Sequence, residues 1–333
     1  MELNYIGVDI AFETFVAGIR NGSKKGFGLT TVKNTDAGIA EWLESLNRER
    51  ACIVMEATGV YHLRLAYALC AQNIRVCVCN PLQVRRFAEM KGRVSKTDEM
   101  DAVNLSEYGA QNHPQQYIVP QASLEELRQR RSVLGQLQKR LQMSENNLHS
   151  SRQHPAADEF SQEILTEEAD FLKEKIRLVK EKINLIIEND YEAQMKLLKS
   201  VPGIGDAVGG AIISAVNAFQ GFDDCDTKSF IKHAGLCPNI MKSGKSVRGA
   251  SNITRSGTPD LRTKLFMPAM SVAIRMKKDN PFKQMYKRLR AAGKSFKEAI
   301  VAVMHKMLRI AVAILKSKEE YSIEKWGAIN PSK

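Results

Sequence analysis

The sequence has no long hydrophobic run and no zinc-type arrangement of cysteines. No apolar stretch reaches the roughly 18 residues that a membrane-spanning helix needs, so no membrane association is expected. The chain begins without the basic and then apolar segment of a signal peptide, and we expect a cytosolic protein. The cysteines form no CxxC pair and have no histidines at zinc spacing. They are interpreted as reduced, buried thiols at Cys52, Cys70, Cys77, Cys79, Cys225 and Cys237.

Acidic residues are scarce in one region of an otherwise balanced chain. The 333 residues include 49 Lys and Arg against 37 Asp and Glu, a net charge of +12. Residues 242–297 alone contain fifteen Lys or Arg against two acids, a local excess of +13. Such a basic field suits a polyphosphate partner, DNA or RNA, with salt-sensitive affinity. A basic surface that only keeps the protein soluble is the alternative.

Apolar periodicity predicts an N-terminal α/β region that starts with three strands in a meander. The predicted strands cover residues 3–10, 12–19, 26–32, 52–55 and 74–79, and the predicted helices cover residues 35–50 and 61–71. Asn21-Gly22 is typical of a hairpin turn, and Asn80-Pro81 is expected to stop the last strand. The basic stretch from residue 85 to residue 96 is predicted either to guide a phosphate backbone or to be a plain exposed loop.

Four acidic residues occupy positions typical of a site. Asp98 and Asp101 are three residues apart at the start of a predicted helix, so they share one helix face. Asp9 and Glu56 end predicted strands, and sites of α/β sheets form at strand ends. A hard divalent cation such as Mg²⁺ would let such neighbouring carboxylates all ionise. The alternative for Asp98 and Asp101 is a solvated first turn favoured by the helix dipole.

Residues 121–192 are predicted to form a helical hairpin of coiled-coil type. Apolar residues recur at helical spacing from Ser123, His154-Pro155 breaks the pattern, and a second helix is predicted from Asp158 to Ile187. Two such helices bury little apolar surface by themselves, so a partner subunit is expected to cover them. A monomeric spacer arm is the alternative. The apolar face of the second helix is predicted from Phe160, Ile164, Phe171, Ile176, Val179, Ile183 and Ile186.

A Gly-x-Gly turn follows the hairpin. Gly203 and Gly205 precede a predicted helix over residues 206–218, which is the pattern of a helix-hairpin-helix element. Glycines in such a turn let backbone amides approach a DNA phosphate closely. A tight turn between packed helices explains the same residues.

Small residues, hydroxyls and cations alternate over residues 242–251, which suits a hairpin or loop lying on nucleic acid. A serine hydroxyl needs a metal or a base before it becomes a nucleophile, and the residues alone do not distinguish Ser243, Ser246 and Ser251. Ordinary backbone hydrogen bonding is the alternative for each. The cations predicted to contact nucleic acid are Arg93 and Lys96 before the acidic helix, and Lys242, Lys245, Arg248, Arg255 and Arg262 in the basic region.

Eight short motifs occur in the order found in one family: YIGVD, MEATG, NP, KTDEMDA, SVPGIG, KHAGLCP, SGKSVRGAS and LFMPAM. From about Tyr5 to Leu315 the chain resembles the DEDD-type transposases of bacterial insertion sequences, of the IS110 type, which are recombinases guided by a bridge RNA. The resemblance implies an α/β RNase H-like domain of the RuvC type over residues 1–120 and an α-helical coiled-coil arm over residues 121–192. It further implies a mostly α-helical C-terminal transposase domain over residues 193–320, with the helix-hairpin-helix-like element, and a tail over residues 321–333.

The resemblance also implies a chemistry. The family's acids fall on Asp9, Glu56, Asp98 and Asp101, which hold two Mg²⁺ ions, and its serine nucleophile falls on Ser243. The serine attacks DNA to give a covalent phosphoserine link, and it comes from a neighbouring subunit. The implied partners are donor and target DNA, a structured bridge RNA, and further copies of the chain in dimers and tetramers. The expected location is the bacterial cytosol, at the nucleoid.

Two other functions use the same residues differently. A RuvC-like endonuclease would employ the four acids with water as the nucleophile, so Ser243 would be dispensable. A nucleic-acid-binding scaffold would use only the basic region and the helical hairpin, so Asp9 would be dispensable.

Overall fold

The computed structural model describes residues 3–20, 27–57, 59–93, 97–219, 221–239, 242–243, 247–248, 252–254, 257 and 259–326. The chain divides into two units, Met1–Val119 and Pro120–Lys333. No helix in the described ranges is long and apolar enough to cross a membrane.

The first unit is built on one mixed sheet. Its strands are β1 (Asn4–Ile10), β2 (Thr14–Arg20), β3 (Phe27–Lys33), β4 (Ala51–Glu56) and β5 (Arg75–Cys79), and its helices are α1 (Asp36–Glu44), α2 (Tyr61–Ala71), α3 (Pro81–Met90) and α4 (Asp98–Asn112). The sheet order is β3-β2-β1-β4-β5. The three-strand meander is antiparallel, whereas β1, β4 and β5 run parallel. This arrangement confirms the predicted α/β class of the N-terminal region. The predicted Asn21-Gly22 turn lies outside the described residues.

Helices cover both faces of this sheet. Ile6 and Val8 of β1 pack in one core cluster with residues of α1 and α2. On the opposite face, Val54 of β4 and Cys77 of β5 pack with Val84 of α3 and Leu105 of α4. Each parallel strand is therefore buried on both faces, which explains the continuous apolar runs in the sequence.

The first half of the basic stretch lies on helix α3 and not in the plain exposed loop that is the alternative to phosphate guidance. The Asn80 side chain accepts a hydrogen bond from the Leu82 amide at 2.9 Å, and Pro81 occupies the first turn. Asn at the N-cap followed by Pro at the first helical position starts a helix, because proline's missing amide is not needed there. The same dipeptide that stops β5 therefore begins α3, and Val84 and Phe87 bury its apolar side.

The second unit begins with two long helices, α5 (Ala122–Arg152) and α6 (Glu159–Asp190). The Ser144 hydroxyl donates to the Leu165 carbonyl at 3.3 Å, and the Arg130 guanidinium donates to the Lys182 carbonyl at 2.9 Å. Residue numbers thus rise on one helix as they fall on the other, so the pair is an antiparallel hairpin. The structure thus has two antiparallel helices where the hairpin is predicted, but the seven apolar residues predicted to form one face of α6 differ in burial. Ile176, Ile183 and Ile186 are buried, whereas Phe160, Ile164 and Phe171 are exposed.

The remainder of this unit is a helical core with small β-ladders. Its helices are α7 (Glu192–Lys199), α8 (Asp206–Phe219), α9 (Thr227–His233), α10 (Pro259–Met270) with a π-helical turn (Ser271–Arg275), α11 (Pro281–Ala291), α12 (Phe296–Ser317) and α13 (Ile323–Trp326). Two-residue strands β6 (Pro238–Asn239) and β9 (Asn252–Ile253) pair with each other, as do β7 (Lys242–Ser243) and β8 (Val247–Arg248). Helix α12 packs against α7, α8, α9, α10 and α11 and centres the core. Where a tail is predicted, the Tyr321 amide donates to the Ser200 hydroxyl at 2.8 Å, so the chain stays on this core.

Candidate active site

Asp9 and Glu56 lie at the same end of neighbouring parallel strands. Val8 pairs with Met55, so the next step of the register aligns Asp9 with Glu56. Both carboxylates are half-buried. Because side chains alternate along a strand, Asp9 shares a face with Gly7, and Glu56 shares a face with Val54. That face is the one covered by α4.

Helix α4 is seated directly on β1. A Cβ atom at Gly7 would lie 1.9 Å from the carbonyl oxygen of Ala102, so only glycine permits the contact. One turn further along the helix, the Ser106 hydroxyl donates to the Tyr5 carbonyl at 2.6 Å. The helix therefore runs antiparallel to the strand.

The same antiparallel seating brings the helical acids to the strand ends. Four helical residues rise about 6 Å and two strand residues about 6.6 Å, so each helical turn matches two strand residues. Ser106 lies at Tyr5 and Ala102 at Gly7, so Asp98 comes level with Asp9. The backbone positions of all four predicted acids therefore lie at one end of one sheet face, with Asp98 and Asp101 both in the first turn of α4.

The start of α4 is fixed by its own sequence. The Thr97 hydroxyl accepts a hydrogen bond from the Met100 amide at 3.2 Å and caps the helix. Asp98, Glu99 and Asp101 occupy the first turn, where the helix dipole favours negative charge. Asp98 is exposed and Asp101 is half-buried. Local capping therefore explains where the helix begins, and the contact at Gly7 explains where its acids lie.

Buried thiols lie beneath Glu56. The Cys52 and Cys77 sulfurs are 3.9 Å apart in the layer between sheet and helices. Burial, the neighbouring Cys52 and the Glu56 carboxylate raise the pKa of the Cys79 thiol to about 12. All six cysteines are free; four are buried as predicted, whereas Cys70 and Cys237 are half-buried.

The donors at this end of the sheet are carboxylate oxygens, which hard divalent cations prefer. Among the side chains that the structure describes, no three His, Cys, Asp or Glu come close enough together to hold one ion. Backbone topology thus gathers the four acids at one edge, while their side chains do not form a preassembled cluster. Mutual repulsion opposes the approach of neighbouring carboxylates, and a divalent cation would offset it.

Arg93, one of the two basic residues predicted to contact nucleic acid near the acids, forms hydrogen bonds within the protein. The Arg93 guanidinium donates to Asn104 at 2.6 Å and to the Glu107 carboxylate at 3.1 Å. Both partners are buried on α4. Arg93 thus ties the chain before α4 to the helix itself. Lys96 lies outside the described residues.

The two glycines of the Gly-x-Gly turn have different surroundings. Gly203 has a φ of +87°, and a Cβ atom there would lie 2.6 Å from a Val272 methyl group. Packing and backbone conformation therefore require this glycine. At Gly205 a Cβ atom would meet nothing within 4 Å. The fold does not need glycine at this position, which leaves room for an approaching phosphate.

The serine-bearing segment is described only in part. Ser243 pairs with Val247 across the β7–β8 ladder, and Lys242 pairs with Arg248. Lys245 and Arg255 lie outside the described residues. The Arg262 guanidinium donates to the Ala234 carbonyl at 2.9 Å, so at least part of this side chain supports the fold.

Sequence reasoning missed the two glycines that position α4. Gly7 of β1 pairs with Gly18 of β2; the Ala102 backbone lies against Gly7, and the Ala102 side chain and backbone lie against Gly18. Glycine inside a strand often marks close approach of another backbone, which was an available signal. The residue that would make the contact cannot be identified from the strand alone.

Comparison with known proteins assigns both parts of the chain to one family. A DEDD-type IS110 model, described as a transposase, matches residues 6–151, and a model described as the transposase IS116/IS110/IS902 family matches residues 195–287. Pilin gene-inverting proteins of Moraxella lacunata and Moraxella bovis are each 28% identical over 96% of this chain and 98% of their own length. An insertion element IS110 protein of Streptomyces coelicolor is 27% identical over 38% of this chain and 29% of its own. The chain therefore belongs to the IS110 family of transposases, which are enzymes of DNA recombination.

Proposed function

We propose that this transposase excises and inserts its own insertion sequence, guided by a structured bridge RNA. The observation that carries the proposal is the antiparallel seating of α4 on β1, which brings Asp98 level with Asp9 beside the end of β4. A mixed sheet with a meander, two parallel strands and acids at one edge supports an RNase H-like fold of the RuvC type. The full-length relatives and the basic region support DNA as substrate.

Mg²⁺ is the proposed cofactor, in a two-ion site. Asp9, Glu56, Asp98 and Asp101 would hold it, because their oxygen donors suit a hard cation. When bound, such ions polarise a phosphodiester and stabilise the attacking and leaving oxygens. The protein's own part is to gather four charged groups at one strand edge through the close contact between Gly7 and α4.

Ser243 is the proposed nucleophile. Its hydroxyl oxygen attacks the phosphorus of a DNA phosphodiester, the bond between phosphorus and the 3′ oxygen breaks, and the proton leaves with the 3′-hydroxyl. The product is a phosphoserine link between protein and DNA. A 3′-hydroxyl of the other duplex then attacks that link and releases the serine, so no ATP is consumed. The serine acts at the acids of a neighbouring subunit.

Three serine variants test the nucleophile. Ser243→Ala is expected to abolish the covalent protein–DNA adduct on denaturing gels and to stop strand exchange, while DNA binding persists. Ser246→Ala and Ser251→Ala are matched controls from the same segment and are expected to retain both. Loss of the adduct in only one of the control variants would identify that serine as the nucleophile instead of Ser243.

The rival functions give different results in the same assay. Normal cleavage by Ser243→Ala would favour an endonuclease that uses water. Undiminished cellular function of Asp9→Asn would favour a scaffold, which family membership disfavours. The relatives' names describe inversion of a pilin gene, so inversion between two sites in one DNA is a second candidate outcome of the same strand transfer. A plasmid carrying the element separates excision from inversion by product size.

Guidance by RNA has its own test. Sequencing the RNA that co-purifies with the protein should recover a structured transcript from beside the gene. Recovery of only bulk cellular RNA would contradict guidance and leave the strand-transfer proposal intact. Arg248 and the neighbouring basic residues are the proposed contacts to DNA or guide RNA.

A seam of exposed apolar residues on α6 supports assembly of dimers or tetramers. Ile164, Phe171, Leu178 and Leu185 are spaced seven residues apart and are 39–60% exposed. A seven-residue repeat forms one continuous seam along a helix, the geometry of a coiled-coil contact. This seam lies away from the buried residues that face α5. We therefore infer that a second copy of the chain covers it.

A charge placed in the seam tests this assembly. Phe171→Glu is expected to shift the protein toward monomer in analytical ultracentrifugation with an unchanged circular dichroism spectrum, because the side chain is exposed in the single chain. Met143→Glu is the control, since Met143 is an exposed apolar residue of α5. An unchanged oligomeric state in Phe171→Glu would contradict the seam as an interface.

A further inference from the structure

The second unit contains a cavity of about 450 Å³ between its β6–β9 ladder and helices α11 and α12. Pro238 of β6 and Ile253 of β9 form one wall, and these two residues pair directly in the ladder. The volume lies in the range of pockets that take small organic groups, about 300–1,000 Å³. None of the predicted site residues whose side chains the structure describes lines it.

The interior of the cavity is apolar, with few polar groups. Met285 and Leu289 of α11 face Val301 and Ala302 of α12. His305 is the lining residue one turn beyond Val301. Burial, reinforced by Arg309, lowers the pKa of His305, so its neutral ring both donates and accepts hydrogen bonds at pH 7.

The mouth of the cavity is positively charged. Lys294 and Lys297 line it and are exposed, against one acid, Glu298. The Glu298 carboxylate accepts a hydrogen bond from the Ser295 amide at 2.8 Å and caps α12. A flat apolar group that is linked to a phosphate matches this combination of apolar walls and cationic rim.

The cavity also lies close to the proposed nucleophile along the chain. Ser243 is five positions after Pro238, and an extended chain of five residue steps spans at most about 17 Å. Stacked nucleotides rise about 3.4 Å per step. A nucleotide in the cavity is therefore within about five steps of the phosphodiester on which Ser243 would act.

We propose that this cavity binds one unpaired nucleobase, with Lys294 and Lys297 on the flanking phosphates and His305 at the base edge. The inference rests on the proposed binding of nucleic acid and adds a recognition site to it. Apolar walls accept the face of any base, while the neutral imidazole of His305 reads its donor and acceptor edge. Extrusion of a base is least costly where the strand is already unpaired.

The probe is a DNA duplex with one unpaired 2-aminopurine, compared with the same duplex in which that position is abasic. Wild-type protein is expected to bind the first duplex roughly tenfold more tightly, the size expected for one accommodated base. The emission of 2-aminopurine is expected to rise, because His305 carries the only aromatic ring among the described residues that line the cavity. A ribonucleotide version of both duplexes distinguishes a DNA strand from the guide RNA as the source of the base.

Two variants and a control locate the effect. Ala302→Trp fills the cavity and is expected to remove the preference for the unpaired base, while affinity for the abasic duplex stays the same. Lys297→Glu changes only an exposed rim residue, cannot disturb the core, and is expected to reduce the same preference. Ala291→Trp, at an exposed position of α11, is the control and should keep the preference.

Three results would refute the proposal that the cavity binds an unpaired base. Equal wild-type affinity for the unpaired and abasic duplexes would refute the base site while leaving nucleic-acid binding intact. A preference that survives in both Ala302→Trp and Lys297→Glu would place the base elsewhere. Failure of the wild-type protein to bind any of the four duplexes would overturn this inference and the proposed function together.

Discussion

Replacing Gly7 by alanine should separate the acids of α4 from those of the sheet. The new Cβ would lie 1.9 Å from the Ala102 carbonyl oxygen and 2.3 Å from the Ser106 amide, both of them helix backbone. Ordinary contact begins near 3.4 Å, so α4 must retreat by about 1.5 Å. A misplacement of about 1 Å in an active site costs roughly 100-fold in rate, and overpacking of this kind costs about 1–3 kcal/mol of stability.

The paired glycine of β2 supplies a matched control. In Gly18→Ala the Cβ would lie 3.3 Å from the side chains of Ala102 and Leu29, so shifts of a few tenths of an ångström suffice. Urea denaturation should show a loss of about 1–3 kcal/mol in Gly7→Ala and a smaller one in Gly18→Ala. The yield of protein–DNA adduct should fall roughly 100-fold only in Gly7→Ala. Wild-type stability and adduct yield in Gly7→Ala would refute the seating of α4 on β1.

Three further perturbations follow from the described contacts. Arg93→Ala removes the donor to Glu107 and should lower the free energy of unfolding by about 1–3 kcal/mol in urea titrations; an unchanged value would show that the pair is not structural. Gly205→Ala should keep the wild-type thermal midpoint but weaken DNA binding in filter assays. Gly203→Ala should instead lower the thermal midpoint. Equal DNA affinity of Gly205→Ala and wild type would exclude a phosphate at the Gly205 amide. Burial lowers the pKa of His305, so the unfolded state binds more protons as the pH falls below about 6.5. The free energy of unfolding measured in urea should therefore fall as the pH is lowered through this range, and His305→Gln should reduce this pH dependence. The same pH dependence in His305→Gln and wild type would contradict the burial of the ring.

Much of the N-terminal fold follows from local sequence signals. Helix α2 has the predicted limits, Tyr61–Ala71, and Thr35 caps α1 as expected. These features depend on short-range periodicity and capping, which a sequence shows directly. Helix α1 ends at Glu44, earlier than the predicted residue 50, and the Ser45 hydroxyl at its C-cap donates to the Trp42 carbonyl at 2.6 Å.

Only part of the candidate site could be predicted from the sequence. The positions of the four acids at strand ends and on one helix face are local properties, so they could be predicted. The alignment of Asp98 with Asp9 depends on contacts between residues about 100 positions apart, such as Ser106 with Tyr5, and no local pattern encodes that register. The division of the α6 apolar residues into a buried face and an exposed seam likewise depends on where α5 packs.

Titration with Mn²⁺, a paramagnetic substitute for Mg²⁺, tests directly whether the four acids form one cation site. Electron paramagnetic resonance counts the free ion, so bound ion is measured without any activity assay. Wild-type protein is expected to bind Mn²⁺, and Asp9→Asn, Glu56→Gln, Asp98→Asn and Asp101→Asn are each expected to weaken binding at least tenfold with unchanged circular dichroism. Equal affinity in wild-type protein and all four variants would contradict a shared cation site.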